Sequence, residues 1–130
     1  MFIVGETGVV GGKPTFGNMT QDQAVAWLID KDGRGKNIEK NMKTCVSGVT
    51  SDMGRPGGSN TQYKFDGQPM RHVSMGAGQH SGVTLFYIAR PGNVAKIIGI
   101  GYHIGAQTYE LQWKDSSWNT VGKANKISLD

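Results

Sequence analysis

Apolar and polar positions along this chain keep two different rhythms. Between residues 20 and 47 the apolar residues recur at three- and four-residue steps, which is the period of a helix with one buried face. Ala24, Trp27 and Leu28 share a face with Lys31, flanked by Val25 and Ile29, and Ile38, Met42, Cys45 and Val46 share another. The first set predicts a helix over about 21–31, opened by a capping box in which Thr20 and Gln23 stand three residues apart. Asp32-Gly33 stops it, and Gly33-Arg34-Gly35 is a turn. The second set predicts a helix over about 37–47 with Lys36, Lys40 and Lys43 on a basic outer face.

From Arg71 onward the rhythm shortens to runs dense in β-branched and aromatic residues. Strands are predicted over about 71–75, 83–90, 94–104 and 107–113, with a last short one near 126–129. Pro91-Gly92-Asn93 and Gly105-Ala106 punctuate them. Residues 1–19 read as an extended, glycine-rich lead-in, and 48–69 as a long loop in which Tyr63 to Phe65 forms a short strand. Helices followed by an antiparallel meander give an α+β plan, two N-terminal helices packed on one face of a four- to five-stranded antiparallel sheet.

Period-two alternation assigns faces within the meander. His80, Thr84, Phe86, Ile88 and Arg90 share one face of the run from Gln79, opposite Val83, Leu85, Tyr87 and Ala89. In the next strand Lys96, Ile98, Ile100, Tyr102 and Ile104 oppose Ala95, Ile97, Gly99, Gly101 and His103. Gly99 and Gly101 leave room on the face of His103, so a helix, a ligand or another chain can approach there. His80 joins His103 only if strand pairing or a bulge near Gly82 turns it to the same side.

Length and composition narrow the class. The 130 residues make one domain, and 20 glycines point to many turns and close backbone approaches. Fourteen Lys and Arg against ten Asp and Glu give a net charge of +4, which favours nucleic acid or an acidic protein as partner. The lone Cys45 excludes an intramolecular disulfide. No stretch reads as a signal peptide or a membrane span, and the chain, opening abruptly on FIVG, is compatible with a piece of a larger protein. The glycine pairs at 5 and 8 and at 99 and 101 lack the context of a nucleotide fingerprint, and no Cys/His spacing suits a metal. No cofactor is implied. Trp113 and Trp118 flank a turn and read as core and edge anchors.

Two histidines, a tyrosine and Arg or Lys, with no paired carboxylates, suit RNA cleavage by attack of the ribose 2′-oxygen on the adjacent phosphate. The segment VAKIIGIGYHIGAQTYEL, preceded by GVTLFYIAR and a turn, resembles the C-terminal sheet of RelE/ParE-type toxins. In those toxins a strand ends in Gly-His-Arg and a tyrosine follows six residues later. Here Gly101-Tyr102-His103 stands at the Gly-His-Arg position and Tyr109 stands six after His103, so histidine replaces the family's arginine. The order of elements is similar to that of the wider superfamily of barnase, EndoU, colicin and RelE-like ribonucleases, which includes toxin domains of contact-dependent inhibition systems.

The resemblance implies a metal-independent ribonuclease toxin domain cutting tRNA or other RNA, carried on a larger secreted protein, active in the target-cell cytoplasm and restrained by an acidic immunity protein. His80, His103 and Tyr109 are then the catalytic candidates, Arg90 and Lys96 the phosphate contacts, and Arg71 and His72 the reserve. Two other readings stay open. Cys45 near a helix end with His80 on a later strand is the pairing of cysteine amidases and peptidases, although the apolar placing of Cys45 also suits a buried structural thiol. Alternatively, the basic second helix and the 54–61 loop form a non-enzymatic module that binds nucleic acid or an acidic protein.

Overall fold

The computed structural model describes residues 2–4, 19–50, 55–56, 64–65, 67–90, 94–115, 118 and 126–129. Strand β1 (Phe2–Val4) precedes helix α1 (Gln21–Asp32), a 3₁₀ turn (Gly35–Ile38) and helix α2 (Glu39–Thr50). Then come β2 (Arg55–Pro56), β3 (Lys64–Phe65), β4 (Gln68–Pro69), β5 (Arg71–Met75), β6 (Val83–Arg90), β7 (Val94–His103), β8 (Thr108–Lys114) and β9 (Lys126–Ser128). Most of the expected lead-in, the 54–61 loop beyond Arg55 and Pro56, Tyr63 and the 91–93 turn lie outside the described residues. Neither α1 nor α2 is long and apolar enough to cross a membrane.

The capping box forms as its spacing requires: Thr20 Oγ1 accepts from the Gln23 N–H at 3.2 Å and Gln23 Oε1 accepts from the Thr20 N–H at 3.0 Å. Gly33 ends α1 in the left-handed region at φ 85°, a conformation that favours glycine. Helix α2 runs past the expected end at residue 47 because Val49 adds another buried position to its apolar face. Gly48 is tolerated there since α2 lies close on β5: a Cβ at Gly48 would sit 3.0 Å from Val73 Cγ2.

The main sheet has the order β2-β5-β6-β7-β8-β9, antiparallel throughout, with β5 to β9 as its body. Strand β1 departs from the expected plan by pairing parallel with β7 at Val94 to Lys96, a stretch that β8, which pairs with Gly99 to His103, does not reach. Strands β3 and β4 form a separate two-stranded sheet. The fold is therefore α+β. Helices α1 and α2 cover one face with Leu28, Met42, Cys45 and Val46 against Leu85, Tyr87, Ile97 and Ile100. The other face is also buried, by Trp118, Met70, Ile127, Leu129 and Phe65 against Phe86, Ile88 and Ile98. Burying large apolar residues on both sides stabilises the sheet at about 25 cal/mol per Å² removed from water.

Two irregularities reset the alternation. Phe86 faces Gly99 while Tyr87 faces Ile97, so Ile98 is an extra residue in β7, and both Ile97 and Ile100 point to the helices while Ile98 points away. The expected sharing of one face by Ile98 and Ile100 is thereby corrected. Ile100 then faces Trp113 and Gly101 faces Leu111, making Gln112 the extra residue in β8. This turns Trp113 to the helix side, edge-on to Trp27 at 5.3 Å, and leaves Tyr109 and Leu111 on the other.

The room left by the glycines is filled by the chain itself. A Cβ at Gly99 would lie 2.6 Å from the Trp118 ring, and one at Gly101 would collide with the Glu110 carbonyl oxygen. Neither glycine opens the face to a second molecule.

Candidate active site

The β5–β6 and β7–β8 connections lie at the same end of the sheet, since Met75 pairs with Val83 and His103 with Tyr109. Strand β6 starts at Val83, as expected, so the alternation counted from Gln79 does not extend to His80, which precedes the strand. Gly76 (φ 72°) and Gly78 (φ 84°) turn the chain, and Gly82 packs so closely that a Cβ there would lie 2.6 Å from the Ala77 carbonyl carbon. Arg34 donates to the carbonyls of Gln79 (3.2 Å) and Gly82 (2.7 Å), and Asn41 donates to that of Ser81 (2.7 Å). His80 is thereby held exposed in a turn and lines neither cavity at this end. The bulge near Gly82 that would bring it to the face of His103 is absent from the pairing of β6 with its neighbours.

A groove of about 710 Å³ runs between α2, β5 and the start of β8, with Lys43, Ser74, His72, His103, Gln107 and Tyr109 among its walls. Its order follows from the sheet. On β5, Val73 packs toward the helices, which puts His72 and Ser74 on the opposite face beside Phe86 and Thr84. Tyr109 reaches that region from β8 by crossing β7 over its glycines, and its ring stands edge-on to Phe86 at 5.2 Å. Both histidine rings meet this one tyrosine, His103 at 4.3 Å and His72 at 5.9 Å between ring centres.

His103 is oriented by its own turn. Its Nδ1 lies 3.1 Å from the Gly105 carbonyl oxygen, and because a carbonyl only accepts, Nδ1 carries the hydrogen. The neutral ring therefore keeps its lone pair on Nε2. Tyr109 is 1% exposed, and burial pushes its hydroxyl above the ordinary tyrosine range, a hydrogen bond from Ser74 pulling it part of the way back. Among the described residues Lys43 pairs with exposed Glu39, at 3.5 Å, a pairing weak enough to leave the ammonium available.

The structure thus gathers His72, His103 and Tyr109 and separates the other candidates from them. Lys96 sits seven residues before His103 on β7, roughly 23 Å away, and is 3.7 Å from the buried Asp115 carboxylate. Arg90 pairs with Val94 at the same far end, and its side chain lies outside the described residues. Arg71 lines neither cavity. Reasoning from the sequence missed Ser74 and Lys43 as groove residues. The i, i+2 spacing of His72 and Ser74 was the available signal.

A second cavity of about 610 Å³ lies between the two turns. Tyr102, where the resemblance puts histidine, is turned away from Tyr109: its hydroxyl donates to Glu110 Oε2 at 2.9 Å and Arg34 lies 5.0 Å over its ring. Among the described residues no three His, Cys, Asp or Glu side chains converge as metal ligands.

Cys45 lines the groove and His80 does not, so the structure does not bring the expected Cys45–His80 pair together there. Cys45 is fully buried, its Sγ faces the carbonyl oxygens of Val83 (3.5 Å) and Val73 (3.8 Å), and burial pushes its thiol from 9.0 up to about 12. A folded-state pKa raised in this way gives stability that is complete below pH 9 and is lost as pH rises through 9 to 12. Cys45→Ala is expected to unfold less steeply than wild type over that window in urea titrations. In the folded wild type a thiol reagent should react with Cys45 at neutral pH only on the timescale of unfolding. Rapid labelling of the native protein would contradict the burial argument.

The chain matches no protein-family model, and no curated protein or solved structure matches it.

Proposed function

We propose that this domain is an endoribonuclease that cleaves RNA, tRNA foremost, without a metal ion. The observation that carries the reading is the pair of half-buried histidines set against one buried tyrosine in a groove edged by Lys43. His103 Nε2 takes the proton of the ribose 2′-hydroxyl as the 2′-oxygen attacks phosphorus, and His72 gives a proton to the departing 5′-oxygen as the P–O5′ bond breaks. The products are a 2′,3′-cyclic phosphate and a 5′-hydroxyl. Tyr109 and Lys43 offset charge on the non-bridging oxygens.

The likeness of the β6 to β8 segment to RelE/ParE-type toxins supports the same chemistry and a place among barnase-, EndoU-, colicin- and RelE-like ribonucleases. The replacement of the family's arginine by His103 favours cleavage of free RNA over a ribosome-dependent mechanism. In that setting the domain is the toxic part of a larger secreted protein, acting in the target-cell cytoplasm, and its net charge of +4 suits an acidic immunity protein as partner.

Expression of the domain in a host cell, with tRNA and rRNA resolved on gels and the new ends mapped, tests the proposal. Cleaved RNA ending in a cyclic phosphate is the expected result. Intact RNA in cells that grow normally would sink it, and binding without cleavage would favour the non-enzymatic module.

A further inference from the structure

Helix α2 and the 3₁₀ turn before it bury Ile38, Met42, Cys45, Val46 and Val49 and leave the opposite face to solvent. That face carries Lys36, Lys40, Lys43 and Ser47, all exposed, at steps of four, three and four residues, which is one stripe of a helix. Lys36 stands in the 3₁₀ turn that runs directly into α2. Among the described residues neither Lys36 nor Lys40 has an ion pair, and Lys43 pairs with exposed Glu39 at 3.5 Å.

The stripe has a direction. Lys43 and Ser47 line the groove of His72, His103 and Tyr109, Lys40 lies one turn before Lys43, and Lys36 one turn before that. At about 1.5 Å per α-helical residue and about 2 Å in the 3₁₀ turn, the three lysine positions span about 12 Å along the axis. A nucleic-acid strand repeats a negative charge every few ångströms, so a strand with one phosphate at the histidines presents its next ones to this row. We infer that the α2 stripe is the landing surface for single-stranded RNA flanking the cut, with Lys43, Lys40 and Lys36 meeting successive phosphates as the strand leaves the groove. This assignment rests on the reading of the groove as a nuclease site, which supplies the polyanion and its direction. An acidic protein is also attracted to three lysines, but the continuity of the row with the groove favours RNA, whose charge repeats along one line. Contacts to phosphate give affinity and register without reading bases, so the stripe selects for length of RNA rather than for sequence.

Fluorescence anisotropy across a salt series tests the surface, with a 2′-O-methyl RNA of about twelve nucleotides that lacks the attacking hydroxyl and so stays intact. For single strands each phosphate contact contributes about 0.7 to the slope of log K against log salt. Lys36→Gln combined with Lys40→Gln should therefore flatten the slope by about 1.4 and weaken binding on the order of tenfold at about 0.1 M salt. Both side chains are exposed and glutamine suits a helix as well as lysine does, so the fold is kept. Lys64→Gln, at an exposed lysine on β3, controls for net charge and should leave the slope as in wild type. An unchanged slope in the double variant, or equal flattening by Lys64→Gln, would overturn the assignment. With cleavable RNA, kcat/KM of the double variant should fall less for a dinucleotide, which ends at the groove, than for the longer strand. Equal losses would mean that the lysines act on the groove itself and would also overturn it. Displacement of the RNA by polyglutamate at equal charge concentration would reassign the stripe to an acidic protein. A domain that binds RNA through α2 and cleaves none would sink the nuclease reading and leave the surface standing.

Discussion

Arg34→Met is expected to lower folding stability by about 3–5 kcal/mol, a large part of the roughly 5–15 kcal/mol that holds a domain of this kind together. Asp32 has a fully buried carboxylate, and Arg34 meets it with two parallel bonds, Nε to Oδ1 at 2.7 Å and Nη2 to Oδ2 at 2.8 Å. Only 9% of the arginine side chain is exposed, so solvent cannot replace it. Methionine keeps much of the packing but leaves a buried charge without its counter-ion, which costs more than the pair itself contributes. Asp32→Asn combined with Arg34→Met should recover part of the loss, because the stranded charge is then gone. Urea unfolding of the two variants provides the comparison. A double variant less stable than Arg34→Met would show that the carboxylate is not the source of the cost. Arg34 also holds the turn that carries His80, so amide exchange in residues 78–82 should quicken in the same variant.

The Arg34 hub illustrates what a sequence can and cannot display. Gly33-Arg34-Gly35 reads as turn punctuation, and so it is. That the arginine folds back on Asp32 and grips carbonyls more than forty residues away depends on where β5 and β6 dock on α2. Helices and strands were legible because each carries its own period: Ile38, Met42, Cys45 and Val46 lie on one helical face whatever the rest of the chain does. The bulges at Ile98 and Gln112 were not, because a bulge is set by a partner strand, and the alternation predicted across Ile98 fails for that reason.

The site divides along the same line. His103 and Tyr109 straddle the turn at 104–107, so their pairing is nearly local and could be read from the spacing. His72 depends on sheet order, which lays β5 beside β6 and brings it to Tyr109 from three strands away. Lys96 looked close to His103 in sequence, yet extended backbone carries it to the other end of the strand. His80 misled through composition: it precedes a strong strand, but Gly76, Gly78 and Gly82 make its surroundings a turn.

That distinction separates the two versions of the chemistry. His103→Ala and His72→Ala should each lower the rate of RNA cleavage by about 10²- to 10⁴-fold, the range for removing a general acid or base. The double variant should lose little more than either single one, because the two groups serve a single displacement. His80→Ala should cleave within about twofold of wild type, since an exposed side chain outside the groove contributes neither proton transfer nor binding. Cleavage rates on one RNA at fixed salt make the comparison, with urea unfolding confirming that each variant is folded. Loss of activity in His80→Ala with His72→Ala still active would move the reaction out of the groove to the exposed turn and would leave Tyr109 without a part in it. Salt should act in the same direction throughout: Lys43→Gln removes one phosphate contact, so binding of RNA to it should weaken and depend less steeply on salt than in wild type.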